Sequence, residues 1–380
     1  MNKPPRVLTI ILAGGQGGRL GPLTEHRAKP VVPFLGTYRL IDFALSNCAH
    51  SGLTDVWIVE QYYPFELNQH LANGRPWDLD RLRGGLRILP PYEKREGKDT
   101  GGAGFAEGNA DVLWRNREFI AHFAPDLLLV LSADHIYRFD FRNLIASHQR
   151  QKSSTLTLVA TPVPDGDNAT RFGNVRFDHT GRVTDFIYKP ETPTSEWVTA
   201  EIFLYDAPRL LETLEALADQ HGGENLGDFG DLLLPRLLED GNVYTHEHRA
   251  YWRDVGTIDA YFAAHQQFLS TRPPLVLDDP TWPVLTWDTP RAPARIAASA
   301  DVSDSLVGPG CHIEGTVRRS VLGPGVTVDA GATVEDAILY HDAHVENGAT
   351  VSRAIVETGV LIPAGQTIGD DANEITVFTG

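Results

Sequence analysis

Glycines, two cations and two carboxylates carry the chemistry this sequence offers. The glycines stand in Leu8-Thr9-Ile10-Ile11-Leu12-Ala13-Gly14-Gly15-Gln16-Gly17-Gly18-Arg19-Leu20, followed by Pro22-Leu23-Thr24 and Lys29-Pro30. A glycine run lets the backbone turn sharply and present N–H groups to an anion. Arg19 and Lys29 add two cations nearby, which suits a polyphosphate better than a single carboxylate. The spacing argues against the two commonest nucleotide motifs. No Gly-Lys-Ser/Thr closes a P-loop, and Leu20 stands where a dinucleotide fingerprint needs its third glycine. An ordinary glycine-rich turn after a strand is the competing reading. The first carboxylate is Asp134, in Ser132-Ala133-Asp134-His135-Ile136-Tyr137 directly after an apolar run. A carboxylate at a strand's end is a natural Mg²⁺ ligand beside phosphate oxygens, or else a cap at a turn. The second is Asp254, in Tyr251-Trp252-Arg253-Asp254-Val255-Gly256-Thr257, where pairing with Arg253 is the alternative to metal binding.

Such groups must be held by buried elements, and strand-like runs recur from Val7 to about Leu269. They include Val56 to Val59, Leu127 to Leu131, Leu156 to Ala160, Val183 to Ile187 and Ile202 to Tyr205, alternating with amphipathic stretches. That alternation predicts an α/β domain with a mostly parallel, Rossmann-like sheet whose ligands lie at the carboxyl ends of its strands. Between Thr271 and Ala294 the text turns rich in proline and tryptophan and reads as an ordered connector. Beyond it, apolar residues fall at Leu322, Val328 and Val334, then at Leu339, Val345 and Val351, then at Val356, Ile362 and Ile368, each column recurring after 17 residues. Three short faces per turn predict a left-handed parallel β-helix, with glycine and Asp/Asn suited to its corners. Val307-Gly308-Pro309-Gly310 and Leu322-Gly323-Pro324-Gly325 stand only 15 apart, so one early turn is irregular. The expected division is 1–270 catalytic, 271–299 connector and 300–380 β-helix.

Fifty acidic against 33 basic residues give a formal charge of -17 over 380 residues, which disfavours nonspecific binding to nucleic acid or anionic membrane. Cys48 and Cys311 cannot build a disulfide framework. No secretory leader pattern stands at the N-terminus, and no apolar run approaches membrane-spanning length, so a cytoplasmic location is the default expectation.

The opening run resembles the signature of sugar-nucleotide pyrophosphorylases. Arg27-Ala28-Lys29-Pro30, Tyr38 through Cys48, Ala133 through Tyr137, Phe172-Gly173, Lys189-Pro190, Asp228-Phe229-Gly230 and Tyr251 through Thr257 resemble the bacterial glucose-1-phosphate adenylyltransferase family nearly end to end. The resemblance implies formation of ADP-glucose and pyrophosphate from ATP and α-D-glucose 1-phosphate for glycogen synthesis, with Mg²⁺ as cofactor. It implies that Gly14, Gly15 and Gly17 cradle the triphosphate, and that Arg19 and Lys29 stabilise charge on pyrophosphate. Asp134 and Asp254 would hold Mg²⁺, and Lys189 would bind the sugar's phosphate. Gly173 and Thr199 would lie near its hydroxyls, and Gln61 and Gly108 near the adenine. A homotetramer, or a hetero-oligomer with a related subunit, is the implied assembly.

Several positions depart from the family pattern around the substrates. Phe105-Ala106-Glu107 replaces an aromatic contact and a cation, Tyr188 stands where a glutamate is usual, and Glu201 stands where a glycine is usual. Glu201 is expected to supply the hydroxyl acceptor lost at Tyr188, while Glu107 either faces solvent or marks altered substrate use. Asp231 and Thr37 replace lysines, and Gly18 replaces a Ser or Thr. Arg39 is read either as an effector-binding cation or, as the plainer role, as a partner for Asp42. These departures keep two alternatives open: a pyrophosphorylase for another nucleotide or sugar phosphate, and a noncatalytic regulatory subunit.

Overall fold

The first strand, Val7–Ala13, is built of alternating residues that face opposite sides of one sheet. Ile11 and Ala13 pack with Ile58, Leu129 and Leu131 beneath the helices Ile41–His50, Pro64–Leu71 and Phe141–Arg150. Leu8 and Ile10 pack with Trp57, Leu128 and Val130 beneath Asn109–Arg115, Arg117–Phe123 and Ala207–Gln220. Both faces are therefore covered, as apolar strands with no polar face require. A computed structural model of the chain describes residues 3–15, 17–91, 106–222, 225–369 and 374–380.

The sheet runs in the order Val183–Tyr188, Gly173–Phe177, Trp197–Asp206, Leu127–Ser132, Val7–Ala13, Asp55–Glu60, Gly85–Leu89. Leu156–Pro162 pairs with Trp197–Asp206, and Val243–Glu247 pairs with Leu156–Pro162. The half from Leu127–Ser132 to Gly85–Leu89 is parallel. Trp197–Asp206 runs antiparallel to its neighbours and makes the sheet mixed, because the chain returns through the hairpin of Gly173–Phe177 and Val183–Tyr188. The glycine loop and Asp134 leave adjacent parallel strands at the same edge.

The connector is tied down by side chains. The Trp282 indole donates to Asn47 Oδ1 at 3.0 Å, the Leu285 N–H donates to Ser46 Oγ at 2.8 Å, and Arg138 pairs with Asp279 at 2.6 Å. Three parallel five-stranded sheets then form the left-handed β-helix. Val334 pairs with Val351 and Val351 with Ile368, while Val328 pairs with Val345 and Val345 with Ile362, so the 17-residue period is the stacking register. Val307 pairs with Leu322, so the 15-residue interval is one shorter coil. The first strand of this stack, Arg295–Ile296, pairs with His312–Ile313 and lies inside the expected 271–299 connector. One corner departs from the glycine or Asp/Asn expectation at two of its four positions, Arg319 and Arg353. Asp304, Arg319, Asp336 and Arg353 all adopt left-handed φ there, and Arg319 is held by ion pairs to Glu335 and Asp336.

Catalytic and β-helix parts share a buried cluster. Leu20 and Leu23 of the glycine loop's exit, with Val32, Phe34 and Tyr261, pack in one group with Val321, Ile338 and Ile355.

Candidate active site

The glycine loop opens a cavity of about 440 Å³ at the carboxyl edge of the parallel strands. Gly17 has φ +68°, a left-handed conformation that glycine adopts without strain, and a Cβ there would lie 2.8 Å from Thr24 Cγ2. Thr24 Oγ1 returns a hydrogen bond of 2.9 Å to the Gly17 carbonyl and locks the turn. Gly15 meets no atom within 4 Å of an added Cβ, so its backbone faces open space, while a Cβ on Gly14 would strike Gln61. Gln16 lies outside the described residues.

Lys29 follows on a short turn and is only 8% exposed. Its ammonium donates to the Asp134 carboxylate and lies 3.7 Å from Asp254 Oδ1. Strand register makes this meeting possible: Trp252–Asp254 pairs antiparallel with His135–Tyr137, setting Asp254 opposite His135. Ser132 Oγ also donates to Asp134. Burial alone would raise the Asp134 pKa, but Lys29, His135 and these hydrogen bonds outweigh it and hold the carboxyl below the usual range. Burial alone would lower the Lys29 pKa, and Asp134 with Asp254 reverses that, so its ammonium stays protonated.

The donor set fits a divalent cation. Ligand atoms of Asp134, His135 and Asp254 lie within 4.8 Å of one another. Among the described residues Asp254 Oδ1 is buried without a hydrogen-bond partner, while Oδ2 accepts from Arg171 Nη2 at 3.3 Å. Arg253 turns away from Asp254, donating to the Asp165 carbonyl at 3.0 Å and pairing with Asp167 at 3.5 Å, so the Arg253–Asp254 alternative is not the observed arrangement. Arg171 was not among the sequence candidates. Its place directly before Phe172-Gly173 was the available signal.

Lys189, Tyr188, Glu201, Asp228 and Arg19 line the same cavity. Lys189 Nζ donates to Tyr188 Oη at 2.7 Å, and that hydroxyl donates to Asp228 Oδ2 at 2.7 Å. A second cavity of about 610 Å³ adjoins the first across Gly15 and Asn109, and Gly14, Gln61, Glu107 and Gly108 line it. A Cβ on Gly108 would collide with the backbone of Gly227 and Asp228. Among the described residues Gln61 Oε1 is buried without a hydrogen-bond partner. Among the described residues, no helix is long and apolar enough to cross a membrane.

A family model described as nucleotidyl transferase matches residues 8–271, and one described as GlmU-like, C-terminal hexapeptide matches residues 292–377. A glucose-1-phosphate adenylyltransferase of Bacillus cytotoxicus is 37% identical over 98% of this chain and 97% of its own length. Proteins of the same name from two Clostridium perfringens strains, SM101 and 13, are each 38% identical over 98% of this chain, covering 94% and 92% of their own lengths. The chain belongs to the glucose-1-phosphate adenylyltransferase family of nucleotidyl transferases.

Within that family, the unusual residues of this member have local explanations. Asp231 closes a capping box at the turn Phe229–Leu233, its Oδ2 accepting from the Asp228 N–H at 2.6 Å. Glu107 is exposed and accepts from Asn225 Nδ2, while Phe105 lies outside the described residues. Glu201 has φ +52°, a conformation costly for a residue with a Cβ, and its carboxylate makes no hydrogen bond among the described residues. His135 Nε2 lies 3.9 Å from Glu201 Oε2. Gly173 and Thr199 do not line the cavity. Thr199 is buried and its hydroxyl accepts the Glu201 N–H at 3.1 Å, and a Cβ on Gly173 would lie 2.6 Å from Phe186. Both residues shape the strands beside Glu201 and Tyr188. Arg39 meets Asp42 through its backbone. Asp42 accepts from the Arg39 backbone N–H at 2.8 Å and pairs with His70 at 2.6 Å, while the Arg39 guanidinium lies 3.5 Å from His341.

Proposed function

We propose that this chain transfers the adenylyl group of ATP to α-D-glucose 1-phosphate, releasing pyrophosphate and forming ADP-glucose, the glucosyl donor for glycogen. The observation that carries the reading is the cluster of Lys29, Asp134 and Asp254 at the strand edge, with Lys189 across one cavity. The sugar's phosphate oxygen bonds to the α-phosphorus as the bond to the β-phosphate oxygen breaks. The attacking oxygen is already anionic, so no base is required, and catalysis consists of alignment and charge neutralisation.

Gly14, Gly15 and Gly17 offer backbone N–H groups to the triphosphate, and Arg19 and Lys29 take the negative charge that develops on pyrophosphate. Lys189 holds the attacking phosphate, Gln61 and Gly108 border the adenine, and Tyr188 and Glu201 border the sugar. Asp134 and Asp254 would hold Mg²⁺, which supplies charge neutralisation on the reacting phosphates; that Asp254 Oδ1 accepts no hydrogen bond among the described residues supports that assignment. The reading takes the catalytic domain as 1–270 and includes a cytoplasmic, tetrameric enzyme. Pyrophosphate release with Mg²⁺, glucose 1-phosphate and ATP, UTP, dTTP or GTP tests it. Release is expected with ATP and at least about 10²-fold slower in Asp134→Asn, the scale of losing one electrostatic partner of the transition state. Equal turnover in that variant would remove Asp134 from the site, and preference for another nucleotide would replace ATP.

A further inference from the structure

The β-helix presents a straight ladder to the segment that carries Lys29. Val321–Leu322, Ile338–Leu339 and Ala354–Val356 stack in one column. The residues that follow each strand, Gly323, Tyr340 and Glu357, recur every 17 positions on one corner. Neighbouring rungs of a sheet lie about 4.8 Å apart. Residues 27–36 lie against all three.

At one end, Arg27 Nη1 and Nη2 donate to the Glu357 carboxylate at 2.9 and 2.7 Å, with the two side chains only 14% and 15% exposed. In the middle, Tyr340 Oη donates to Tyr261 Oη at 2.8 Å, and Tyr261 Oη donates to the Pro33 carbonyl. At the far end, a Cβ on Gly36 would lie 3.1 Å from the Leu322 carbonyl oxygen and 3.5 Å from Gly323 Cα. Gly323 leaves room where the chain comes closest, Tyr340 reaches through a second hydroxyl, and Glu357 supplies charge. Lys29 stands between the first and second of these attachments.

The segment needs such support. Among the described residues, the N–H groups of His26, Arg27 and Ala28 make no backbone hydrogen bond. The approach to Lys29 is therefore fixed through side chains, and a bidentate Arg–carboxylate pair fixes orientation as well as distance. The β-helix supplies a stiff reference, because its coils are hydrogen-bonded rung to rung and its core side chains are fully buried.

We infer that the Gly323–Tyr340–Glu357 ladder is a positioning device for Lys29, through which the β-helix sets the ammonium between Asp134 and Asp254. Arg27, Tyr340 and Glu357 are positioning residues and touch no substrate. The inference rests on the proposed role of Lys29 in pyrophosphate release, so one arm of its test reads Lys29 without catalysis. Full-length Glu357→Ala and Tyr340→Phe are compared with wild type in turnover, in KM for both substrates, in thermal unfolding and in the rate of reductive methylation of Lys29 resolved by peptide mass spectrometry. The expected result is a kcat lower by about ten- to a hundredfold, the scale of an ångström's misplacement of a catalytic group. Both KM values stay within about threefold, and Lys29 is methylated at least about fivefold faster, as expected of a group released from its fixed geometry. Glu357→Gln, which keeps size and one acceptor, gives a smaller shift in the same direction. A folded Glu357→Ala protein with wild-type kcat and wild-type labelling of Lys29 would overturn the inference. If Glu357→Ala fails to fold, Glu357→Gln and Tyr340→Phe decide it by the same criteria. An inactive wild type would refute the functional reading, while the labelling rates would still test the ladder.

Discussion

Replacing Lys29 with methionine keeps the length of the side chain and removes the one charge held between Asp134 and Asp254. With Lys29 Nζ 3.7 Å from Asp254 Oδ1, the attraction to that carboxylate alone is about 4–5 kcal/mol at an effective dielectric of about 20. Asp134, in direct contact, adds more. Desolvation offsets part of this, and breaking a buried pair on one side costs about 3–5 kcal/mol in comparable sites. Metal-free Lys29→Met protein, unfolded in urea with EDTA at pH 7.5, is therefore expected to lose about 3–5 kcal/mol. The sign of its pH dependence follows from Asp134. In the wild type that carboxyl is held below its unfolded value near pH 3.9, so its contribution is complete above that pH and is lost as the pH falls through the folded value. Without Lys29, burial raises the carboxyl's pKa with only His135 and the Ser132 hydrogen bond left to oppose it. Its protonation then relieves the variant, and the stability gap to wild type narrows as the pH falls from 7.5 to 5. Turnover with Mg²⁺ falls by at least about 10²-fold. A variant with wild-type stability and a gap independent of pH would refute the placement of Lys29 between the two carboxylates.

Asp254→Asn is expected to lower kcat by about 10²-fold and to raise the Mg²⁺ concentration giving half-maximal rate, measured by metal titration of pyrophosphate release; an unchanged metal dependence would contradict the orphaned Oδ1 as a metal donor. Glu201→Gln is expected to raise KM for glucose 1-phosphate by about tenfold with little change in KM for ATP, the scale of a hydrogen bond to a charged acceptor. An unchanged sugar KM would remove Glu201 from the sugar side. His148 and His265 are held neutral by burial, with pKa values pushed down to about 4 and about 3. Each takes up a proton on unfolding below pH 6.5, so urea midpoints should fall between pH 6.5 and 5, at about 1.4 kcal/mol per pH unit for each histidine. A midpoint that is flat or rises would contradict that. Val334→Asp, at a fully buried rung of the β-helix, should prevent folding of that stack, seen as loss of protease resistance after residue 295, because a lone buried carboxylate has no partner there.

Much of this architecture is legible because it is periodic or local. Apolar columns at 17-residue intervals can only stack as coils, and Asp134 is conspicuous as a carboxylate directly after a five-residue apolar run, Leu127 to Leu131. The glycine loop is legible for the same reason, since its turn is closed by Thr24 only seven residues beyond Gly17. What sequence does not reveal is made by tertiary register. Arg171 meets Asp254 across 83 residues and Tyr188 meets Asp228 across 40, and nothing in either residue's neighbourhood announces the partner. That the Thr199 hydroxyl accepts from the Glu201 N–H is likewise a feature of the folded strand that the sequence does not announce. The antiparallel half of the sheet is hidden similarly, since a run such as Ile202 to Tyr205 is equally apolar in either direction. Asp231 reads as a lost cation, yet its hydrogen bond to the Asp228 N–H gives it a capping role.

The most direct test of the central claim is identification of the product formed by wild-type protein from ATP, α-D-glucose 1-phosphate and Mg²⁺, with Asp134→Asn alongside. The account predicts equimolar ADP-glucose and pyrophosphate from the wild type and at least about 10²-fold less of both from the variant. Absence of ADP-glucose from folded wild-type protein, or equal yields from the two, would contradict it.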